Sequence, residues 1–361
     1  MSNLIDYIKW RGDLSLEEFK FNEVDNLALT RLSYFPLESL MKEEEEISIK
    51  ELAERFKKKN INEMKILWPD DKDLIVLMGE SERFGKIKIT KFIHIFDKGA
   101  EEQFAAITAF LPDNIIYVSY RGTDCSIVGW KEDFNLSFKS DIGSQISAKK
   151  YLNEIGEKYS TAQIIVGGHS KGGNVAVYAA IYANKEVKDR IINVYNIDGP
   201  GFEKRIVESN EYKEIVDKII SYIPQESIIG RLMNHKERIT IIQSTANGIM
   251  QHDLYSWQVM RNNIIRVEEL TNGSEFIDKT ITGWLEEVEP AKREIVIDAI
   301  FKIIYATEVE TFKGLKTNKI ENAKTILTTY NSLDSETKEM IMKTIRELLK
   351  IARSNMGELF G

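Results

Sequence analysis

The chain has 361 residues, of which 43% are hydrophobic, 10% aromatic and 29% charged. A protein of this composition can bury a sizeable apolar core, which excludes a disordered, collagenous or disulfide-scaffold chain. The formal net charge of −8 argues against a general nucleic-acid-binding surface. The single cysteine, Cys125, excludes an intrachain disulfide, and the spacing of the four histidines indicates no metal site.

The N-terminal stretch lacks the uninterrupted apolar run of a signal peptide, because Asp6 and Asp13 stand among its apolar residues. Nowhere do about 18 apolar residues follow one another, so we expect no membrane-spanning helix. The simplest expectation is a cytoplasmic protein, with leaderless export and transient contact with a membrane surface left open. The sequence does not predict the oligomeric state.

Residues 1–70 have the pattern of a helical segment. Ser15 followed by Glu18, and Ser48 followed by Glu51, are capping-box patterns that precede apolar residues at helical spacing. We expect this segment to pack on the domain that follows it.

Residues 71–285 have strands that alternate with helices. The predicted strands are LIVLMGE, KIKITKFIHIF, FAAITAFL, NIIYVSYRG, QIIVGG, IINVYNID, ISYIP and RITIIQS. Helical spacing occurs at residues 148–158 and in NVAVYAAIYA and EYKEIVDKII. This alternation predicts βαβ units, and hence an α/β fold with a mostly parallel central sheet flanked by helices. Residues 286–361 lose strand character and are predicted to form a helical C-terminal region that packs on the sheet domain or mediates association.

The stretch Gly168-His169-Ser170-Lys171-Gly172 fits the pattern G-x-S-x-G. A predicted strand enters it and a predicted helix leaves it, which is the frame that a nucleophile elbow requires. In that frame Ser170 is the candidate nucleophile, and side chains at positions 168 and 172 would clash with the neighbouring strand or helix. The amide of Lys171, at the start of the helix, is a candidate donor to an oxyanion. His169 is expected to pack beside the elbow rather than to act as the base.

Two motifs upstream of the elbow suggest a family. The sequence reads YRGTD at 120–124 and GWKEDF at 129–134. With GHSKG, these motifs resemble the class 3 (fungal-type) lipases, whose pattern runs F-R-G-T, D-W-x-x-D and G-H-S-x-G. Trp130 and Asp133 match, whereas Gly129 replaces the first acid. The N-terminal two-thirds is more closely similar to an uncharacterised bacterial family of lipase-like hydrolases, through WRGDLS, FNEVDNLALTRLSYFP, the GTD loop, GGHSKGGN, DGPGF and QHDLYSW.

The resemblance implies an α/β-hydrolase fold, in which Thr123 contributes to the oxyanion hole by its backbone N–H and its hydroxyl, alongside the amide of Lys171. In such enzymes the nucleophile, the acid and the histidine follow one another in that order along the chain. Only His235 and His252 follow Ser170. His252 lies in a loop after the strand RITIIQS, whereas His235 lies in a charged stretch typical of the surface, so we favour His252 as the base.

The acid has two candidates, each at the end of a predicted strand. Asp198 ends IINVYNID and opens the turn DGPGF, which it could instead serve to hold. Glu226 follows ISYIP, one strand further on, near the position at which the family places its aspartate. Position therefore favours Glu226 over Asp198 by a small margin.

These residues predict hydrolysis of a small-molecule or lipid carboxylic ester by a lipase-, esterase- or lysophospholipase-like enzyme. Ser170 would attack the carbonyl, His252 would shuttle the proton, and an acyl-serine would then hydrolyse. The chemistry calls for neither a metal nor an organic cofactor. The alternative is a catalytically silent α/β-hydrolase-like protein that binds a ligand or a partner.

Overall fold

The computed structural model describes residues 2–124, 126–139, 141–310 and 318–359, so Cys125 lies outside the described residues. The helices in chain order are α1 (Leu4–Arg11), α2 (Glu23–Leu32), α3 (Ile49–Lys57), α4 (Asp71–Glu80), α5 (Ile127–Asn135), α6 (Gly143–Lys158), α7 (Lys171–Tyr182), α8 (Lys185–Lys188), α9 (Lys204–Val207), α10 (Asn210–Lys213), α11 (Asn272–Glu287), α12 (Pro290–Tyr305), α13 (Lys319–Ser332) and α14 (Ser335–Leu359). The strands are β1 (Ile47–Ser48), β2 (Lys88–Asp97), β3 (Glu102–Leu111), β4 (Ile115–Tyr120), β5 (Gln163–His169), β6 (Ile191–Ile197), β7 (Ile219–Pro224), β8 (Ile239–Ile242), β9 (Val259–Met260) and β10 (Asn263–Ile264).

Strands β1 to β8 form one sheet in which spatial order equals chain order. Strands β4 to β8 are parallel, whereas β1 pairs with β2 and β3 pairs with β4 in antiparallel fashion. The prediction of an α/β fold with a mostly parallel sheet, flanking helices and further helices at the C-terminus is confirmed. The parallel strands bring their carboxyl ends to one edge of the sheet, where Ser170, Asp198 and Glu226 follow β5, β6 and β7.

The chain divides into two compact units, of which the first comprises Met1–Ile95, Phe104–Gly122 and Ser144–Thr271. In this unit successive side chains of a strand point to opposite faces of the sheet. Tyr117 and Ile165 join a core formed with helices α1 to α4, whereas Val118 and Val166 join a core formed with α6 and α7. Both faces of the central strands are therefore buried, which explains their continuous apolar runs.

The second unit comprises Phe96–Gln103, Thr123–Gly143 and Asn272–Gly361. Within it, Ile127 of α5 packs against Ile297 and Phe301 of α12. A second apolar cluster joins α12 to the helices that follow it through Val296, Ala299, Ile303, Leu333 and Ile341. In the part of the chain that the structure describes, no helix has both the length and the apolar character needed to cross a membrane.

Two predicted elements differ from the structure. LIVLMGE, predicted as a strand, lies in helix α4, where Leu74, Ile75 and Met78 are buried at helical spacing. A short apolar run fits a buried strand and a buried helix equally well, so periodicity alone does not separate them. EYKEIVDKII, predicted as a helix, contains only the end of α10 and a short 3₁₀ turn before β7 begins at Ile219.

Candidate active site

The turn between β5 and α7 holds Ser170 in a strained conformation. Its φ of 59° and ψ of −134° lie in a region that costs a non-glycine residue about 1–3 kcal/mol. The amide of Ser170 donates to the carbonyl of Ile197 at 2.9 Å, and its carbonyl accepts from the amide of Gly173 at 2.8 Å. This strained strand-to-helix turn is the backbone geometry of a nucleophile elbow.

The glycines on either side of Ser170 allow a close approach of backbone segments. A Cβ atom at Gly168 would lie 2.2 Å from the carbonyl oxygen of Gly172. A Cβ atom at Gly172 would lie 2.3 Å from the carbonyl oxygen of Tyr120 in β4. Both obstacles are backbone atoms, so any side chain at either position would force the elbow apart.

Asp198 stands at the carboxyl end of β6 in the left-handed region, with a φ of 48°. Its carboxylate is buried, and Oδ1 accepts hydrogen bonds from the Ser227 hydroxyl at 2.6 Å and from the Gly230 amide at 3.1 Å. Oδ2 lies 2.6 Å from Nδ1 of His252. Because a carboxylate accepts hydrogen bonds, Nδ1 of His252 carries the hydrogen, which leaves Nε2 of the neutral ring able to take up a proton.

Hydrogen bonds of Gln251 and Trp257 hold the loop that carries His252. Nε2 of Gln251 donates to the carbonyl of Ala246 at 3.0 Å, and its Oε1 accepts from the amide of Glu226 at 2.9 Å. Trp257 Nε1 donates to the carbonyl of Gln251 at 2.8 Å. The side chain of His252 remains 20% exposed, whereas that of Asp198 is only 1% exposed. The imidazole is therefore open to a substrate and its partner is not.

Glu226 contacts the same loop in another way. Its carboxylate accepts a hydrogen bond from the amide of Gly248, where the 3₁₀ turn Gly248–His252 begins. It is thus bound to backbone, whereas the ring of His252 is paired with Asp198. The geometry therefore pairs the candidate base with Asp198, the less favoured of the two candidate acids in the sequence. A strand pattern does not reveal the left-handed backbone from which the Asp198 carboxylate projects.

His169 lies buried between Tyr34 and His252. Its Nε2 lies 2.8 Å from the carbonyl oxygen of His252, and its Nδ1 lies 3.1 Å from the Tyr34 hydroxyl. Burial, together with the charges of His252 and Arg31, holds the pKa of His169 well below its ordinary value. The ring is therefore neutral at physiological pH, and its nitrogens are engaged with groups other than the nucleophile.

His235, the other histidine that follows Ser170, is half-buried rather than exposed as expected. Its Nδ1 lies 2.8 Å from Oε1 of Glu237. The same carboxylate accepts hydrogen bonds from the Ser221 hydroxyl at Oε1, at 2.7 Å, and from the Tyr212 hydroxyl at Oε2. Burial alone would raise the pKa of Glu237, but the hydrogen bond and charge of His235 outweigh it and hold that pKa at about 2. His235 thus belongs to a separate buried cluster.

The two candidate oxyanion donors lie in different units. Lys171 is the first residue of α7, where the helix dipole favours negative charge. Thr123 belongs to the second unit, where its hydroxyl donates to Oδ1 of Asp133 at 2.6 Å. Asp133, which matches the family motif, therefore fixes the orientation of this hydroxyl.

No chemical pattern in the sequence singles out Tyr34, Ser227 or Gln251, although each contacts Asp198, His252 or a residue bonded to them. Tyr34 and Gln251 lie in FNEVDNLALTRLSYFP and QHDLYSW, two stretches that carry the family resemblance. Their position in these two stretches is the feature of the sequence that could have pointed to Tyr34 and Gln251 as site residues. Ser227 follows Glu226 directly and had no signal of its own.

Comparison with solved structures gave distant likenesses. The Rhizomucor miehei lipase in its propeptide complex is 18% identical, with 43% of this chain and 57% of that chain covered and a TM-score of 0.34. The nonglycosylated LIP2 lipase of Yarrowia lipolytica is 15% identical, with 51% and 73% covered and a TM-score of 0.35. A structure described as a fungal lipase is 11% identical, with 70% and 88% covered and a TM-score of 0.40.

No curated protein matches the chain significantly. A family model does match it: the model of the Mbeg1-like family covers residues 78–302, which is more than half of the chain. The chain therefore belongs to the Mbeg1-like family.

Proposed function

We propose that this chain is a serine hydrolase that cleaves carboxylic esters through an acyl-serine intermediate. The observation that carries the proposal is the 2.6 Å contact between the buried carboxylate of Asp198 and Nδ1 of His252. In a catalytic triad the acid holds the imidazole in one tautomer and stabilises the imidazolium that forms during the reaction. The strained elbow at Ser170 supplies the matching nucleophile.

The first half-reaction forms the acyl-enzyme. Ser170 Oγ attacks the ester carbonyl carbon while its proton passes to Nε2 of His252, and Asp198 stabilises the resulting imidazolium. The amide of Lys171 is the proposed donor to the oxyanion, and the family resemblance implies the amide of Thr123 as a second donor. When the tetrahedral intermediate collapses, the ester C–O bond breaks and the alcohol leaves with the proton from His252.

The second half-reaction restores the serine. His252 takes a proton from a water molecule while the water oxygen attacks the acyl carbon. His252 then returns that proton to Ser170 Oγ as the carboxylic acid leaves. The two steps need no metal and no organic cofactor. They require Ser170 Oγ to come within hydrogen-bond reach of His252 Nε2, a contact that commonly tightens only when substrate binds.

An apolar ester is the favoured substrate class. Ile249 and Met250, in the same 3₁₀ turn as His252, expose 51% and 64% of their surface. Exposed apolar side chains beside a catalytic base offer contact to an acyl or alkyl chain. A lipid ester, a lysophospholipid or a small synthetic ester shares this chemistry.

Hydrolysis of p-nitrophenyl esters of graded chain length tests the proposal. Wild type is compared with Ser170→Ala, and Ser39→Ala serves as the matched control because the Ser39 hydroxyl is exposed and donates to the nearby carbonyl of Pro36. We expect turnover by wild type and by Ser39→Ala, and none above background by Ser170→Ala. A folded wild type that turns over no ester, with or without detergent, would instead favour a silent binding protein.

A further inference from the structure

We propose that Tyr34 and His169 form a positioning pair that holds the main chain of His252, and through it the catalytic imidazole. The inference rests on the proposed function of the same site. It assigns a role to the histidine that precedes the nucleophile and to a tyrosine of the N-terminal helical segment.

The contact between His169 and His252 fixes the backbone of the base. Nε2 of His169 lies 2.8 Å from the main-chain oxygen of His252, and that oxygen can only accept a hydrogen bond. Nε2 of His169 therefore carries the hydrogen and donates it. The two imidazole rings lie 4.3 Å apart between centroids with 34° between their planes, so the pair is also in van der Waals contact.

Tyr34 holds His169 in the tautomer that this donation requires. Its hydroxyl oxygen lies 3.1 Å from Nδ1 and 3.1 Å from the carbonyl oxygen of His169, and it accepts from the amide of Gly122 at 3.0 Å. With the hydrogen of His169 on Nε2, its Nδ1 has a lone pair for the tyrosine O–H. Tyr34 is 2% exposed and His169 is 1% exposed, so water does not compete for these groups.

A buried ion pair supports Tyr34 and the His252 loop together. The guanidinium of Arg31 is bonded to both carboxylate oxygens of Asp71, and its central carbon lies 4.3 Å from the centroid of the Tyr34 ring. The hydroxyl of Tyr255, three residues after His252, donates to Asp71 at 2.7 Å. The ion pair of Arg31 and Asp71 therefore contacts the ring of Tyr34 and the hydroxyl of Tyr255 together.

The two hydrogen bonds that hold His252, one to its ring and one to its main-chain carbonyl, have different effects. The bond from Nδ1 to Asp198 sets the rotation of the ring, whereas the bond from His169 sets the position of the main chain. With the second anchor lost, the ring can remain paired with Asp198 while Nε2 moves away from the serine. A displacement of about 1 Å in a reacting group can cost about a hundredfold in rate.

The test compares His169→Phe with His169→Gln in the full chain. Phenylalanine keeps the ring contact and removes both nitrogens, whereas the glutamine amide can donate a hydrogen bond from near the position of Nε2. We expect His169→Phe to lower kcat for p-nitrophenyl ester hydrolysis by about 10- to 100-fold with KM changed by less than about threefold. We expect His169→Gln to recover most of that loss. His94→Phe, the same substitution on strand β2, is the matched control and should leave kcat unchanged.

Tyr34→Phe gives a second and independent readout, because it removes only the hydroxyl. We expect a loss in kcat of about three- to tenfold, the equivalent of one neutral hydrogen bond. Thermal unfolding of each variant separates a misplaced base from a misfolded protein. Wild-type kcat in folded His169→Phe, or equal losses in the Phe and Gln variants, would overturn the positioning role while leaving the proposed function intact. A wild type inactive on every ester would overturn both.

Discussion

Oδ2 of Asp198 lies 2.6 Å from Nδ1 of His252, although 54 residues separate the two in the chain. Asp198 lies at the end of β6 and has a left-handed backbone conformation, whereas His252 lies in a 3₁₀ turn after β8. Glu226 and Gln251 anchor that turn by hydrogen bonds to its backbone and to each other. One carboxylate thus contacts the imidazole, and the other contacts the loop that carries it.

This division of roles predicts opposite results for two matched substitutions. Asp198→Asn should lower kcat for ester hydrolysis by about 10⁴-fold, because an amide no longer selects the tautomer that leaves Nε2 of His252 free to act as a base. Glu226→Gln should change kcat by less than about tenfold, because its side-chain oxygen can still accept from the Gly248 amide. Steady-state kinetics on p-nitrophenyl esters distinguish the two, and a larger effect at Glu226 would contradict the assignment of Asp198.

The close approach at Gly172 predicts a large loss of stability for a small change. In Gly172→Ala the new methyl group would meet the carbonyl of Tyr120 at 2.3 Å, so we expect the free energy of unfolding to fall by about 3 kcal/mol or more. Gly99→Ala is the control, because the nearest atom there is a side-chain oxygen at 3.3 Å and the expected change is within about 0.5 kcal/mol. Urea unfolding of both variants measures the difference. Equal stabilities would show that the elbow yields to the added methyl.

The buried Glu237 predicts a pH dependence of stability in the acid range. Its pKa is held at about 2 in the folded protein against an ordinary value of 4.5, so the folded state favours the carboxylate. A lowered pKa stabilises the fold above pH 4.5, and this contribution disappears as the pH falls from about 4.5 to about 2. At pH 7 we expect Glu237→Gln to lose about 3 kcal/mol of unfolding free energy.

Urea unfolding at a series of pH values checks this expectation. The difference between wild type and Glu237→Gln should shrink steadily below pH 4.5, whereas Glu211→Gln, on an exposed position of α10, should match wild type throughout. A difference between wild type and Glu237→Gln that stays constant down to pH 2 would rule out a lowered pKa at Glu237.

The elbow was predictable because its determinants are local. Gly168 and Gly172 lie two residues from Ser170, and the strand before them and the helix after them have clear patterns of their own. The choice between Asp198 and Glu226 was not predictable in the same way. Both end parallel strands, and the deciding features are a positive φ at Asp198 and a hydrogen bond that spans 54 residues.

The arrangement around His169 shows the same limit. Adjacency to Ser170 indicated that its ring would turn away from the nucleophile, and it contacts Tyr34 and the carbonyl of His252 instead. That second contact depends on the path of a loop 83 residues further along the chain. The prediction of a strand where helix α4 lies was wrong for a simpler reason. A short apolar run such as the one around Leu74 and Met78 is typical of a buried helix and of a buried strand alike.

The most direct measurement is intact-mass spectrometry after reaction with a fluorophosphonate probe. Wild type and Ser39→Ala should each gain the mass of one phosphonyl group, mapped by peptide digestion to Ser170, because the probe traps only an activated serine. Ser170→Ala and His252→Ala, shown by circular dichroism to be folded, should gain none within the same time. A folded wild type that stays unlabelled with and without detergent, or an adduct that persists in Ser170→Ala, would contradict the assignment of Ser170 as an activated nucleophile.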